Sequence, residues 1–322
     1  NSWKVSDGLK EVHSKHLTLL TCMHGYLLTN AKSMFVGRES DVMVSSVGRS
    51  GTMMTVNLLH QMRTGGTSRF DDLVKLVRHI APVTGITNIG LNDEQEGFFR
   101  IFFSHGFPWQ IPDFQKSINI VRNPTDVLRS WMFFVHKFYQ LQNPDFTVEE
   151  FFYNCFLFHC FWPQDYYWQH LVYWWKEREL FPDNRVWLHF EAFLFSYKTR
   201  NETLTTLAQF LNITLPQKTR RQILARSDPN YFIRNQSKFR MFNMHYVAGR
   251  IINRCIHRDD FIINLSSNRL GIMSIAASKK KIIIPQSIIR ILQQKWNDIV
   301  EPYTGYKSYD QMLEFRKRQY EL

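Results

Sequence analysis

The chain has 322 residues, of which 44% are hydrophobic and 15% are aromatic. A chain this long and apolar can bury a large core, which excludes a disordered basic tail protein, and we expect one α/β domain with insertions. Lys and Arg outnumber Asp and Glu by 40 to 28, a net charge of +12. This excess favours anionic partners such as phosphates, sulfates, nucleic acid or anionic membrane, without choosing among them.

The N-terminal extension, residues 1–40, contains no apolar run long enough to cross a membrane, because Lys15, His16 and His24 interrupt it. We therefore predict no membrane insertion. The four cysteines share no metal-ligand spacing, which predicts no metal site and a reducing, cytoplasmic compartment. Four Asn-x-Ser/Thr sequons leave the Golgi lumen as an alternative, if an N-terminal anchor has been removed: Asn201, Asn212, Asn235 and Asn264.

The first predicted strand spans residues 42–47 and leads through a glycine-bearing loop into a predicted helix over 52–63. The loop reads Val47-Gly48-Arg49-Ser50-Gly51-Thr52. Such a loop directs backbone N–H groups and the positive end of the helix at one point, which suits a phosphate. Met53 follows Thr52, so the lysine and magnesium-binding hydroxyl of the Walker pattern are missing. The sequence predicts a phosphate loop without the usual groups for ATP.

Further strands are predicted at 100–104, 117–121 and 185–190, and the helices between and after them at 125–140, 148–155, 166–178, 203–211 and 220–226. This alternation indicates a single α/β domain, residues 1–322, with a central, mainly parallel sheet flanked by helices. Polar residues end the first three strands, so their loops are expected to meet at one ligand-binding edge. Residues 227–285 are interpreted as a loop-rich excursion near that edge.

Three motifs occur in order along these elements. They are the loop Gly48 to Met54, the strand end Phe103-Ser104-His105, and Arg122-Asn123-Pro124-Thr125-Asp126-Val127 with Ser130 after it. This series resembles the sulfotransferases that use 3′-phosphoadenosine 5′-phosphosulfate (PAPS), whose cytosolic branch carries Pro-Lys-Ser-Gly-Thr-Thr-Trp and Arg-Asn-Pro-x-Asp-Val followed by Ser. The resemblance covers roughly residues 40–215. It implies PAPS as sulfuryl donor, 3′,5′-ADP as product, and no required metal.

The resemblance assigns the two phosphates of the nucleotide to different loops. Arg49 stands at the family's lysine, where a fixed cation would stabilise the charge that develops on the leaving group. The 5′-phosphate contacts are implied for Ser50, Gly51, Thr52 and Met53. Arg122 and Ser130 resemble the pair that holds the 3′-phosphate. A salt bridge with Asp126 is the alternative role for Arg122.

Adenine stacks between rings in this family, and Met54 and Phe190 stand at the tryptophan and tyrosine positions. Sulfur and a phenyl ring can still enclose a purine, although Phe190 could instead be a core ring. Ser227 is a further candidate near the 3′-phosphate. The stretch Asn268-Arg269-Leu270-Gly271 is similar to the loop that closes over the nucleotide, which implies that Arg269 and Gly271 bind it.

His105 is the predicted general base, because a neutral imidazole can take the proton of an attacking hydroxyl or amine near neutral pH. Phe103 stands where the family has a lysine, so a second cation is missing there. We expect Phe107 and Trp109 to line the acceptor pocket. His170 is a further acceptor-side candidate, with a core or helix-capping histidine as the alternative.

The implied partner is a small, apolar or aromatic acceptor with a hydroxyl or an amine. Alternatives are a P-loop kinase or NTPase of altered sequence, a luminal carbohydrate sulfotransferase, and a nonenzymatic module that binds nucleic acid. The last would need basic residues clustered with aromatics along one element, whereas here they are dispersed, so we expect no nucleic-acid partner. The oligomeric state stays open, because the dimer motif of cytosolic relatives is not recognisable near residues 281–289.

Overall fold

Five parallel strands form the centre of the structure, a computed structural model that describes residues 35–80, 90–138, 146–157, 163–192, 196–239 and 282–321. The strands are β1 (Val42–Ser46), β2 (Arg78–Ile80), β3 (Ile101–Ser104), β4 (Lys116–Val121) and β5 (Arg185–His189). Their order in the sheet is β2-β3-β1-β4-β5. The predicted class, a single α/β domain with a parallel sheet, is confirmed.

Strand β1 lies in the middle of the sheet, where Val44 pairs with Phe103 on β3 and with Ile118 on β4. All five residues of β1 are buried, as expected of a strand covered on both faces. Four of the five strands were predicted from apolar runs. Strand β2 was not predicted, because its three residues include Arg78 and His79.

Helices connect and cover the strands in the described ranges. They are α1 (Thr52–Arg63), α2 (Pro124–Phe138), α3 (Val148–Phe151), α4 (Tyr166–Leu180), α5 (Tyr197–Phe210), α6 (Gln217–Arg226), α7 (Pro229–Arg234), α8 (Gln286–Lys295), α9 (Glu301–Thr304) and α10 (Tyr309–Glu321). Among the described residues, no helix is both long and apolar enough to cross a bilayer. Short 3₁₀ turns lie at Leu73–Lys75, Pro108–Gln110 and Gln236–Phe239.

The predicted helix over 148–155 is shorter and changes form. Its α-helical part ends at Phe151, and the chain continues as a π-helix over Phe152–Leu157. A second π-helix, Trp296–Val300, follows α8. The helix predicted over 203–211 starts six residues earlier, because Ser196 caps it by accepting from the Thr199 N–H.

The sheet separates two apolar cores, as alternating side chains on each strand point to opposite faces. One core contains Met43, Phe102 and Trp187 and packs under helices α2, α4, α8 and α10. The other contains Val44, Phe103 and Ile118 and packs under α1, α5 and α6. The C-terminal ends of β1, β3 and β4 are left to carry loops. Of the predicted loop-rich excursion over 227–285, residues 227–239 contain the short helix α7 and the turn after it, and 240–281 lies outside the described residues.

Candidate active site

The loop between β1 and α1 has a backbone that only a few residue types adopt. Arg49 and Gly51 have positive φ angles of 73° and 99°. The hydroxyl groups of Ser46 and Thr52 lie 2.6 Å apart and tie the end of β1 to the start of the helix. The loop therefore directs the N-terminus of the twelve-residue helix α1 at the sheet edge, which is the predicted phosphate position.

Replacing Gly51 by alanine should destabilise this loop severely. A Cβ there would lie 2.7 Å from Cε2 of Phe190, and closer still to Cδ2. Backbone strain plus overpacking should lower the free energy of unfolding by about 2–5 kcal/mol, measured by chemical denaturation. Gly65→Ala is the matched control, because Gly65 has φ 64° but no atom within 4 Å of such a Cβ. Its expected cost is only about 1–2 kcal/mol. Equal losses would mean that the Phe190 ring does not constrain the loop.

Arg122, directly after β4, lies against the same loop. Its Nη1 donates to the carbonyl of Arg49 over 2.8 Å, and its guanidinium lies 4.4 Å above the ring of Phe190. Its Nε is buried and has no hydrogen-bond partner among the described residues. The alternative salt bridge to Asp126 is not formed, because Asp126 pairs with Arg129 at 2.6 Å. Arg122 thus retains donors for an anion.

The side chain of Arg49 reaches toward helix α2. Its Nε donates to the hydroxyl of Ser130 over 3.1 Å, and its guanidinium lies 5.0 Å from the centre of the Phe134 ring. Burial, followed by repulsion from Arg122, lowers the pKa of Arg49 to about 10. Two guanidinium groups therefore share one partly buried region. The structure brings together Arg49 and Ser130, which the resemblance assigns to different phosphates.

His105 follows β3 on the other side of β1. Its Nδ1 lies 2.8 Å from the carbonyl oxygen of Ser46. Because a carbonyl only accepts, Nδ1 must carry the proton and Nε2 must carry the lone pair. Burial is the main cause that lowers the pKa of His105, and the charge of Arg49 lowers it further. Tyr166 donates to the His105 carbonyl and fixes the backbone. The imidazole is thus neutral near pH 7 with one nitrogen able to take a proton.

A second histidine, His79 on β2, lies beside His105 and was not singled out in the sequence. The two ring centroids are 6.0 Å apart. His79 pairs in register with Phe103, the position of the family's missing lysine, and their rings are 4.8 Å apart. Burial and then His105 lower the pKa of His79 to about 3, so it is neutral at pH 7. A three-residue edge strand carries too weak a pattern for the sequence to reveal this neighbour.

The predicted acceptor-side residues lie together, with the ring of Phe107 6.1 Å from that of His170, but they differ in exposure. Phe107 is buried and stacks on Trp109 at 4.6 Å, while Trp109 is 52% exposed and meets Tyr173 edge-on. His170 lies in the core, 1% exposed, with its Nε2 3.3 Å from the Ser45 hydroxyl. Burial lowers the pKa of His170 to about 3. His170 therefore has the position of a core histidine, which was the alternative interpretation of the sequence.

The remaining nucleotide candidates lie partly in the core. Met53, Met54 and Phe190 belong to the apolar cluster under α1 and are at most 6% exposed. Ser50 and Ser227 are buried, and neither hydroxyl has a hydrogen-bond partner within the ranges that the structure describes. Arg269 and Gly271 lie outside the described residues. In the described part of the chain, no three His, Cys, Asp or Glu residues group as metal ligands.

The comparisons with known proteins agree on one fold. Retinol dehydratase in complex with retinol and PAP, the 3′,5′-ADP product, gives a TM-score of 0.60 at 15% identity, covering 89% of this chain and 86% of that one. The same enzyme with androsterone and inactive cofactor PAP gives 0.60 at 16%, covering 89% and 87%. Mouse sulfotransferase SULT7A1 complexed with PAP gives 0.58 at 16%, covering 86% and 89%. At such identities the likeness concerns the fold.

The family itself is established from sequence. No curated protein matches the chain. The model of the sulfotransferase domain, however, matches residues 39–259, which include the loop after β1, His105, Arg122 and Ser130. Since this match spans more than half of the 322 residues, the chain belongs to the sulfotransferase family.

Proposed function

We propose that this sulfotransferase takes PAPS as donor and sulfates a hydroxyl or amine of a small, apolar or aromatic acceptor. The observation that carries the proposal is the meeting of Arg122 with the loop after β1. There a partly buried guanidinium has a buried Nε with no hydrogen-bond partner in the described part of the chain, beside the backbone of Arg49 at the N-terminus of α1. Charged donors in a low-dielectric region favour a multiply charged phosphate ligand over a neutral one.

The donor set fits a nucleotide with two phosphate groups. Arg122 and Ser130 would hold the 3′-phosphate, and Ser50, Gly51 and Thr52 would hold the 5′-phosphate through N–H and hydroxyl groups. The hydroxyls of Ser50 and Ser227, which have no partner among the described residues, support this fit, because buried polar atoms normally find partners. PAPS, when bound, supplies the sulfuryl group and a phosphate leaving group. Arg49 would stabilise charge on that leaving group after moving away from Ser130.

His105 is the proposed general base. Its Nε2 lone pair would accept the proton of the acceptor hydroxyl or amine, while the bond from Nδ1 to the Ser46 carbonyl holds the ring and stabilises the imidazolium that forms. Phe107 and Trp109 follow His105 by two and four residues and provide apolar surface near this base. Retinol and androsterone, present with relatives of this fold, are small apolar molecules, which supports an acceptor of that class here.

Nucleotide-dependent thermal stabilisation tests the donor assignment. At 100 times its Kd, 3′,5′-ADP should raise the Tm by roughly 5 °C, because such saturation adds about 2.7 kcal/mol to the free energy of unfolding. ATP with magnesium and a DNA oligonucleotide should each produce a much smaller rise. Stabilisation by ATP with magnesium alone would instead support a kinase or NTPase. Transfer of labelled sulfate to a panel of hydroxyl and amine acceptors then identifies the acceptor class.

A further inference from the structure

A buried carboxylate, Glu191, lies directly after the Phe190 ring that Arg122 covers. It is 9% exposed and accepts two hydrogen bonds from different parts of the chain. The backbone N–H of Asn123, the residue after Arg122, donates to Oε1 over 3.0 Å. The hydroxyl of Tyr309 donates to Oε2. Glu191 therefore joins the end of β4 to the C-terminal helix α10.

Tyr309, the first residue of α10, lies outside the part of the chain that matches the family model, residues 39–259. Its side chain is 4% exposed and its ring packs against Trp296 and His189. Its hydroxyl also lies 3.3 Å from Nδ1 of His189. These contacts hold the hydroxyl firmly, so the C-terminal helix provides a rigid anchor for Glu191.

Arg122 is fixed from several directions. Tyr167 donates to its carbonyl over 2.6 Å, the Asn123 N–H is held by Glu191, and Nη1 is bound to the Arg49 carbonyl. Burial raises the pKa of Glu191, which means that its charge is poorly stabilised where it lies. The link from Glu191 to Arg122 runs through the Asn123 N–H, and the negative charge of Glu191 also acts against the burial that lowers the pKa of Arg122. A displaced Asn123 backbone would carry the Arg122 guanidinium with it.

We propose that Glu191 and Tyr309 are positioning residues that hold Arg122 in the orientation required for the 3′-phosphate, so that the C-terminal helix contributes to nucleotide selection. This inference rests on the proposed function, in which Arg122 binds that phosphate. Neither residue needs to touch the nucleotide. Their effect should be confined to the preference for 3′,5′-ADP over adenosine 5′-phosphate, a nucleotide that lacks only the 3′-phosphate.

Isothermal titration of both nucleotides into the full chain measures this preference. We express it as the Kd for adenosine 5′-phosphate divided by the Kd for 3′,5′-ADP. We expect Tyr309→Phe and Glu191→Ala each to lower the ratio about tenfold, which corresponds to about 1.4 kcal/mol, with the Kd for adenosine 5′-phosphate changed less than about threefold. Glu191→Gln keeps an acceptor for Asn123 and should retain the ratio within about threefold. Tyr306→Phe, whose ring packs on Trp175 and Phe315, is the matched control and should leave both affinities unchanged.

The outcomes separate the two levels of the proposal. A wild-type chain that binds both nucleotides equally would overturn the proposed function. A wild-type preference that persists in Tyr309→Phe and Glu191→Ala would overturn the positioning role alone. An equal loss of both affinities would also contradict it, because that pattern indicates a general structural defect. If Glu191→Ala does not fold, Tyr309→Phe decides, since it removes a single oxygen.

Discussion

Replacing His105 by alanine should lower kcat for sulfuryl transfer by a factor of about 10²–10⁴, the usual contribution of a general base. The Kd for 3′,5′-ADP should change by less than about threefold. His105 follows β3, whereas the residues proposed to bind the phosphates follow β1 and β4. A sulfate-transfer assay gives kcat and calorimetry gives Kd. Loss of binding together with activity would instead indicate a collapsed site.

His79→Ala is the informative comparison for this prediction, because the two rings are neighbours. If activity is lost in His79→Ala and kept in His105→Ala, the base is His79. The pH profile provides a second measurement. Because burial and Arg49 lower the pKa of His105, the base is neutral above that depressed pKa. The logarithm of kcat/KM should therefore rise with pH through a value below 6.5 and then stay level, whereas a limb above 6.5 would contradict the assignment.

Replacing Arg122 by methionine should weaken 3′,5′-ADP binding by about 10²–10⁴-fold. Two charge-assisted hydrogen bonds of about 1.5–3 kcal/mol each would be lost, and each 1.4 kcal/mol corresponds to a factor of ten. Adenosine 5′-phosphate should lose less than about tenfold, through the lost bond to the Arg49 carbonyl. Titration calorimetry of both nucleotides measures the difference.

Arg129→Met is the matched control for Arg122, since Arg129 lies on α2 and pairs with Asp126 instead. It should leave both affinities within about twofold of the wild-type chain. Arg122→Lys should recover only part of the loss, because lysine cannot donate two parallel hydrogen bonds to one phosphate. Full recovery in Arg122→Lys would mean that charge alone matters at this position.

The sequence predicted the centre of the fold well and its edge and C-terminus less well. Strands β1, β3, β4 and β5 have apolar runs that pack on both faces, so their pattern is strong. The edge strand β2 consists of Arg78, His79 and Ile80, which carry no alternating pattern. No helix was predicted after residue 285, although α8 and α10 cover one face of the sheet. Ile288, Leu292 and Trp296 recur at helical spacing and are all buried, so α8 had a local signal that the sequence interpretation missed.

The candidate site, like the fold, was predicted from the sequence only in part. Motif spacing brought the loop after β1, His105 and Arg122 to one sheet edge in the prediction, and the parallel topology explains why. The bond from Arg49 to Ser130 and the link from Glu191 to Tyr309 join residues 81 and 118 positions apart. Such links depend on how helices pack after the chain has folded. The spacing of residues within a motif does not predict such long-range contacts.

The central position of β1 determines the distance between the side chains that follow the two strands beside it. Neighbouring strands of a sheet lie about 4.8 Å apart. Strand β3 carries His105 on one side of β1 and β4 carries Arg122 on the other. The backbone ladder therefore sets the distance between the proposed base and the proposed 3′-phosphate site at about two strand spacings. We expect relatives with different peripheral helices to keep this distance. Their acceptor specificity could then differ while the arrangement of groups for sulfuryl transfer stays the same.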